Sequence, residues 1–433
     1  MMWKEIFKCR LCGSSDIQDS FSLGMQIVKD FLDSPHDGSK KGPLDLVLCK
    51  GCGFLQLKHT FDKQYLYTHY WYRSGTSPTM VKELAGIVHK AENIVRFNPD
   101  DIVIDIGAND GTLLRQYNMG KIQKVGFEPS NLWQYGASHD TMIINDFFNA
   151  ESFVEKFPGK KAKIVTSIAM FYDLDDPNAF TEDIKSILDP LGVWIVQMNY
   201  LGLMLNNLGY DNICHEHVGY YSLTTMKYLL ARHSLEVFDV ELNNVNGGSF
   251  RLYIKHVGDT TKKTNKEAIN RAEQWELENH ISDQATFSKF DSAIRHQKSE
   301  LQQLISDIVD AGKTIFIYGA STRGLVILEY CGIDETKIQY ATDKNSDKWE
   351  KYLSGTGIKI INLEEYRKLK PDYLLVLSYQ YANEIAYQER ALMEAGGKLI
   401  IPLPAPKVLD QNYFIFKDDD NTKENFLSGY DKL

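Results

Sequence analysis

Two cysteine pairs of identical spacing constrain the first sixty residues more than any other feature: Cys9-Arg-Leu-Cys12 and Cys49-Lys-Gly-Cys52. Each is C-x2-C with a glycine just after the second cysteine (Gly13, Gly53), and 36 residues separate the pairs. Such knuckles turn two thiolates and their neighbouring amides toward one metal, and four thiolates complete the closed tetrahedral shell of structural zinc. A thioredoxin-like redox site needs one C-x-x-C at a helix start, not a matched pair. The spacing predicts Cys9, Cys12, Cys49 and Cys52 as ligands of one structural Zn²⁺ with no open position for chemistry. Cys214 and Cys331 stand alone and read as core residues.

Composition bounds what the rest can be. At ~150 residues per domain, 433 residues predict about three domains. Lys+Arg 48 against Asp+Glu 58 gives a net charge of −10. Without a long basic run, this argues against a nucleic-acid groove or a polybasic membrane patch. Mean hydropathy is −0.32, and no stretch approaches the ~18 apolar residues of a membrane span. The opening MMWKEIFKCR has early charges and no apolar h-region. A cytoplasmic protein handling a small molecule is expected.

From about Asp100 short apolar runs alternate with helical patterns, the mark of a parallel sheet with crossover helices. Strands are predicted at 102–106, 124–128, 142–145, 163–168, 193–198, 235–241 and 250–256. The last two are joined by a loop and should pair antiparallel at the sheet edge. Residues 262–311 read as one or two long helices. A second α/β block follows, with strands at 314–318, 338–342, 373–377 and 398–402. The domains predicted are 1–65 (zinc-binding), 66–258 (first α/β block), 259–312 (helical connection), 313–410 (second α/β block) and 411–433 (tail). The tail, with Asp418, Asp419, Asp420 and Asn421, should be an exposed appendix.

Three motifs carry candidate chemistry. Asp105-Ile-Gly107-Ala-Asn109-Asp110-Gly111 is a strand running into a glycine turn, with a helix expected next so that backbone N–H groups approach a ligand. It is followed at the next strand ends by Glu128-Pro129 and by Asp146-Phe147, suited to a ribose and a purine. That order resembles class I S-adenosylmethionine-dependent methyltransferases, in which the glycine loop holds the amino-acid part of the cofactor. Cys214-His215-Glu216-His217 packs protonatable groups into one loop. If it is extended, His215 and His217 point one way and Glu216 the other. Finally, Gly319-Ala-Ser321-Thr322-Arg323-Gly324 is a second glycine turn, whose amides, hydroxyls and Arg323 could cradle a diphosphate, with Asp343 at the next strand end.

Taken together, the chain resembles the nucleotide-sugar C-methyltransferases, the three-domain family that includes the enzyme making the branch methyl of tetronitrose. Its marks are the cysteine knuckles, Tyr70-Trp-Tyr72-Arg73-Ser74, the Asp105–Gly111 turn, His215-Glu216-His217, Gly247-Gly248-Ser249-Phe-Arg251 and Gly319–Gly324. The resemblance implies a class I methyltransferase Rossmann-like sheet flanked by an N-terminal zinc-binding domain and a C-terminal Rossmann-like α/β domain. It also implies S-adenosylmethionine as cofactor, a nucleotide-linked 4-keto-6-deoxy sugar as substrate, and a monomer.

By the same resemblance His217 takes a proton from C3 of the sugar, assisted by Glu216 and by Tyr70 or Tyr72, with His215 as the other candidate base. Asp105, Gly107, Asn109, Asp110, Glu128, Pro129, Asp146 and Phe147 fall to the cofactor. Asn199, Tyr221, Arg251, Ser321, Thr322, Arg323 and Asp343 fall to the substrate. Two departures stand out. Family members commonly have tyrosine before H-E-H, where this chain has Cys214, and some place a histidine where Phe171-Tyr172-Asp173 stands. The alternatives are a methyltransferase acting on oxygen, or a nucleotide-sugar-binding or redox protein built on the second α/β block.

Overall fold

The computed structural model describes residues 2–28, 31–35, 40–67 and 70–415. Its N-terminal part is a sheet that the sequence pattern did not announce. Ile17–Ile27, Lys41–Cys49 and Leu55–Leu57 pair antiparallel in that order. Phe21 and Leu23 alternate inward along the first of these strands. The fourth member comes from elsewhere: Gly219–Tyr220, just beyond the H-E-H loop, pairs antiparallel with Leu55–Gln56.

The central sheet has seven strands in the order 235–243, 249–256, 188–199, 162–168, 102–106, 123–127 and 141–144. The five strands of this sheet that come first in chain order are parallel. The last two pair antiparallel, as the loop between them predicts. Asn246, Gly247 and Gly248 all have positive φ (53°, 87°, 125°), which reverses the chain tightly. Strand order reverses between Ile102–Ile106 and Ala162–Ile168, and the crevice outside the carboxyl ends at such a switch point is where open α/β sheets bind ligands.

The helix expected after the first glycine turn is absent. Gly107, Asn109 and Gly111 are all left-handed (φ 73°, 52°, 73°), so no right-handed run can begin until Thr112. Only a single 3-10 turn, Leu114–Gln116, follows.

The polar connection forms two helices, Lys266–Glu278 and Gln284–Asp310, broken where His280 turns left-handed (φ 49°). Phe287, Phe290, Ile294, Leu301, Ile305 and Ile308 line one face of the second, and Phe290 meets Phe21 of the N-terminal sheet edge-on at 5.5 Å. The C-terminal sheet has five parallel strands: 315–318, 340–342, 359–361, 373–376 and 398–401. Its far edge is completed by Phe31–Leu32 from the N-terminal part, which pairs with Tyr352–Leu353. The three parts therefore interlock through exchanged strands.

The expected tail begins as packed structure. Lys407–Leu409 adds an antiparallel strand, and the short helix Asn412–Ile415 buries Tyr413 and Phe414. Asp418–Asn421 lie outside the described residues. No helix among the described residues is long and apolar enough to cross a membrane.

Candidate active site

The four knuckle cysteines converge. Cys9 and Cys52 Sγ are 3.7 Å apart, Cys12 and Cys49 Sγ 3.5 Å, and all four sulfurs lie within 4.8 Å of one another. Zn–S bonds of ~2.3 Å in a tetrahedron put sulfurs ~3.8 Å apart, so the donor set fits zinc. Each knuckle closes identically: Gly13 N–H donates to Cys9 O and Gly53 N–H to Cys49 O, both at 2.9 Å, with the glycines at φ 76° and 71°.

At the switch point of the central sheet opens a cavity of about 780 Å³, within the ~300–1,000 Å³ of small-molecule sites. Its walls include the Asp105–Asn109 turn, the segment 70–77, the H-E-H loop, and the Gly319–Arg323 turn of the C-terminal sheet. Of the residues assigned to the cofactor, Asp105, Gly107, Asn109, Glu128, Pro129 and Phe147 line it. Asp110 and Asp146 do not. Asp110 is buried, taking Thr112 on one oxygen and Gly75 N–H on the other. Asp146 is exposed and accepts from Phe147 N–H.

The glycine turn also spends its own amides. Gly107 and Ala108 N–H both donate to Phe127 O, and Asn109 N–H donates to Glu128 Oε2 at 2.7 Å. The expected cradle of N–H groups is therefore absent; Gly111 N–H closes back on Ala108 O, and Arg115 takes Asp110 O. Glu128 takes Ser130 N–H on its other oxygen at 2.9 Å. Each oxygen still has a lone pair for a hydroxyl. Burial raises Asp105 to about 7, despite its bond from Thr166 Oγ1.

The segment 70–77 crosses this turn as a strap, an arrangement that the sequence reading missed. Ser74 N–H donates to Asn109 Oδ1, Asn109 Nδ2 to Tyr72 O, and Gly75 N–H to Asp110 Oδ2, all at 2.9–3.1 Å. A Cβ on Gly75 would stand 2.8 Å from that Asp110 oxygen. The signal available was the Asn-Asp pair itself, since asparagine both tolerates the left-handed region and offers two-sided hydrogen bonding. Tyr70 and Tyr72 both line the cavity.

The H-E-H loop is not extended. His217 N–H bonds back to Cys214 O, making a turn that brings Glu216 and His217 together on the cavity wall and sends His215 away. His215 Nε2 meets Gly42 O at 3.1 Å and its ring packs on Phe61. His217 Nδ1 lies 2.7 Å from Asn212 O, which fixes a proton on that nitrogen and leaves Nε2 as the basic one. The ring packs at 4.0 Å against Tyr172. Burial lowers His217 to about 3 and His215 to about 4, so both are neutral near pH 7. Cys214, Glu216 and His217 present ligand-type atoms within 4.8 Å of one another.

Among the residues assigned to substrate, Asn199, Ser321, Thr322, Arg323 and Asp343 line the cavity. Asn199 Oδ1 is buried without a partner there. Tyr221 does not line it: the side chain is buried between Phe54 and Phe171. Arg251 is also withdrawn, held by Gln197, Glu241 and Glu83. Arg323 reaches the wall but is engaged by Asp211, Asn246 O and Tyr379. Its guanidinium ties the C-terminal sheet to the central one and is not a free diphosphate donor. Tyr67, which sequence reasoning did not assign, also lines the wall, as does Asp173, which it held only as a fallback base.

Strand order, switch-point cavity and the acid at the second strand end define a class I S-adenosylmethionine-dependent methyltransferase domain. Family models match three consecutive stretches: a zinc binding domain over residues 9–67, a methyltransferase domain over 79–240, and a C-methyltransferase C-terminal domain over 244–404. C-methyltransferase NovU of Streptomyces niveus is 29% identical over 411 residues, 94% of this chain and 97% of that protein. Among solved structures, an S-adenosylmethionine-dependent methyltransferase from Clostridium acetobutylicum overlaps 41% of this chain and 92% of its own, at 13% identity and TM-score 0.31. Magnesium protoporphyrin IX methyltransferase from Synechocystis overlaps 41% and 77%, at 11% identity and TM-score 0.29. The chain thus carries, in order, matches to a zinc-binding, a methyltransferase and a C-methyltransferase C-terminal domain, and is similar over most of its length to a C-methyltransferase.

Proposed function

We propose that the protein methylates C3 of a nucleotide-linked 4-keto-6-deoxy sugar, with S-adenosylmethionine as methyl donor and His217 as the base. The observation that carries this reading is His217 itself: neutral, tautomer fixed by the Asn212 carbonyl, and set with Glu216 on the wall that the cofactor turn shares. The ketosugar comes from the family resemblance of the H-E-H loop and the two glycine turns.

A carbon beside a ketone becomes nucleophilic only after losing a proton, and the resulting charge falls on the ketone oxygen. In this reading His217 Nε2 removes the C3 proton. The Glu216 carboxylate, within 4.8 Å, stabilises the imidazolium as it forms. The bound cofactor supplies an electrophilic methyl. Glu128 would hold its ribose through the remaining lone pairs. Tyr70 and Tyr72 exclude water and position the sugar, while Asn199 Oδ1 takes a sugar hydroxyl. Ser321, Thr322 and Asp343 lie at the far wall, where the nucleotide handle belongs. Zinc, held by Cys9, Cys12, Cys49 and Cys52, is structural.

Incubation with labelled S-adenosylmethionine and a panel of nucleotide-linked ketosugars tests the reading. Label should appear on carbon in a ketosugar, and C3 deuterium should wash out of the same sugar. Label on oxygen, or none on any ketosugar, would overturn it.

A further inference from the structure

We propose that Asp173 is the acid that protonates the ketone oxygen while His217 takes the neighbouring proton, an assignment that rests on the ketosugar reading above. Asp173 ends the turn Phe171–Asp173 beyond the Ala162–Ile168 strand and lines the cavity together with His217, Glu216 and Tyr70. Its Oδ1 is buried and has no hydrogen-bond partner, whereas Tyr67 hydrogen-bonds the carboxyl. A buried oxygen with no partner is costly unless a ligand satisfies it, and a protonated carboxyl at this place offers a ligand oxygen the donor it needs.

Two carboxyls, Asp173 and Glu216, face one cavity wall, and both cannot ionise cheaply. Burial, and then the charge of Glu216, hold Asp173 well above the carboxylate range. Asp175 pushes the same way, while Tyr67 and Lys63 oppose it. The other titratable neighbours, Tyr70, Tyr172, Tyr220 and Cys214, are themselves kept neutral by burial. One wall thus carries a neutral base and a neutral acid. Enolisation needs that pairing, because it removes a proton at carbon and places one at oxygen.

The step balances. His217 Nε2 takes the C3 proton, and the C3–H electron pair becomes the C3–C4 π bond. The former carbonyl π pair takes the Asp173 proton, leaving a neutral enol beside carboxylate and imidazolium. When the enol π pair forms the new C3–CH3 bond, the sulfur–methyl bond breaks and sulfur keeps its pair. The C4 hydroxyl proton returns to Asp173, and the His217 proton leaves to solvent.

The test is turnover, cofactor affinity and pH profile for the parent, Asp173→Asn, Asp173→Glu and Asp173→His. Asp173→Asn should lose ~10²–10⁴ in kcat while binding S-adenosylmethionine near the parent affinity. Asp173→Glu and Asp173→His, which keep a proton to give, should recover at least ten-fold over Asp173→Asn. The parent's rate should fall at high pH as the acid ionises. If the parent is active and Asp173→Asn stays within three-fold, Asp173 is not the acid and the ketosugar reading stands. If the parent acts on no ketosugar, both fall together.

Discussion

The two glycine turns are built alike and used differently. In the central sheet Gly107 N–H donates to Phe127 O and Asn109 N–H to Glu128; in the C-terminal sheet Gly319 N–H donates to Thr342 O and Ala320 N–H to Asp343. Each turn is thus fixed by the next strand and by the acid at its end. They part after that. The second launches the helix Thr322–Cys331, capped by Ser321 Oγ, and anchors it through Arg323 to Asp211 of the central part. The first launches no helix and is crossed by the 70–77 strap. In the second turn the guanidinium of Arg323 is spent on architecture, whereas in the first Glu128 keeps lone pairs open toward the cavity.

The largest expected effect tests what surrounds both turns. Because Gly219–Tyr220 pairs with the zinc-binding sheet, Cys49→Ser should destabilise the whole chain, not only residues 1–60. Structural zinc contributes folding energy outright. Unfolding should shift by several kcal/mol, and elemental analysis of the parent should find one zinc per chain. Two per chain would seat a metal on Cys214, Glu216 and His217 and remove His217 as a free base.

Next is Arg323→Met. Leaving Asp211 buried without its partner should cost ~3–5 kcal/mol in denaturant unfolding. Unchanged stability with weakened nucleotide binding would return Arg323 to the diphosphate and make the two turns functional equals.

A smaller effect separates the two acids. Glu128→Ala should weaken S-adenosylmethionine binding by ~1–3 kcal/mol in calorimetry. Asp343→Ala should leave that affinity unchanged and raise KM for the sugar nucleotide. Equal effects of both variants on cofactor binding would contradict the division of labour.

The smallest effect is in the pH dependence of stability. His215 at about 4 and His217 at about 3 stay neutral when folded, while the unfolded chain protonates its histidines below ~6.5. Stability contributed by these two is therefore lost as pH falls from ~6.5 toward 4 and 3. Asp105 at about 7 works oppositely: its protonated form is favoured in the fold, so its contribution is lost as pH rises from ~4 to 7. Urea midpoints from pH 4 to 7.5 should show a weaker acid-side decline in His215→Asn and a stronger one in Asp105→Asn.

What was legible in the sequence follows the same division. The parallel strands and the acids at their ends were readable because apolar runs ending in glycine or an acid are local signals. The knuckles were readable from spacing alone. The helix after Gly107 was misread because three left-handed positions in five residues are not apparent from a D-x-G-x-N-D-G string. The facing of the H-E-H loop was readable only for an extended segment, and one backbone bond, His217 N–H to Cys214 O, makes it a turn instead. Arg323 was assigned to substrate as a diphosphate donor and Arg251 through the resemblance, but their carboxylate partners Asp211 and Glu83 lie 112 and 168 residues away in the chain. Such long-range pairing leaves no local trace.

The central claim is that His217 is the base, and solvent exchange at C3 tests it most directly. With no S-adenosylmethionine present, the parent should replace the C3 proton of its ketosugar with solvent deuterium. His217→Asn, which keeps the shape but not the base, should exchange at least ~10²-fold more slowly while binding the cofactor near the parent affinity. His215→Asn, whose ring faces Gly42 and Phe61, should exchange near the parent rate. Parent-rate exchange in His217→Asn would place the base elsewhere and contradict the account.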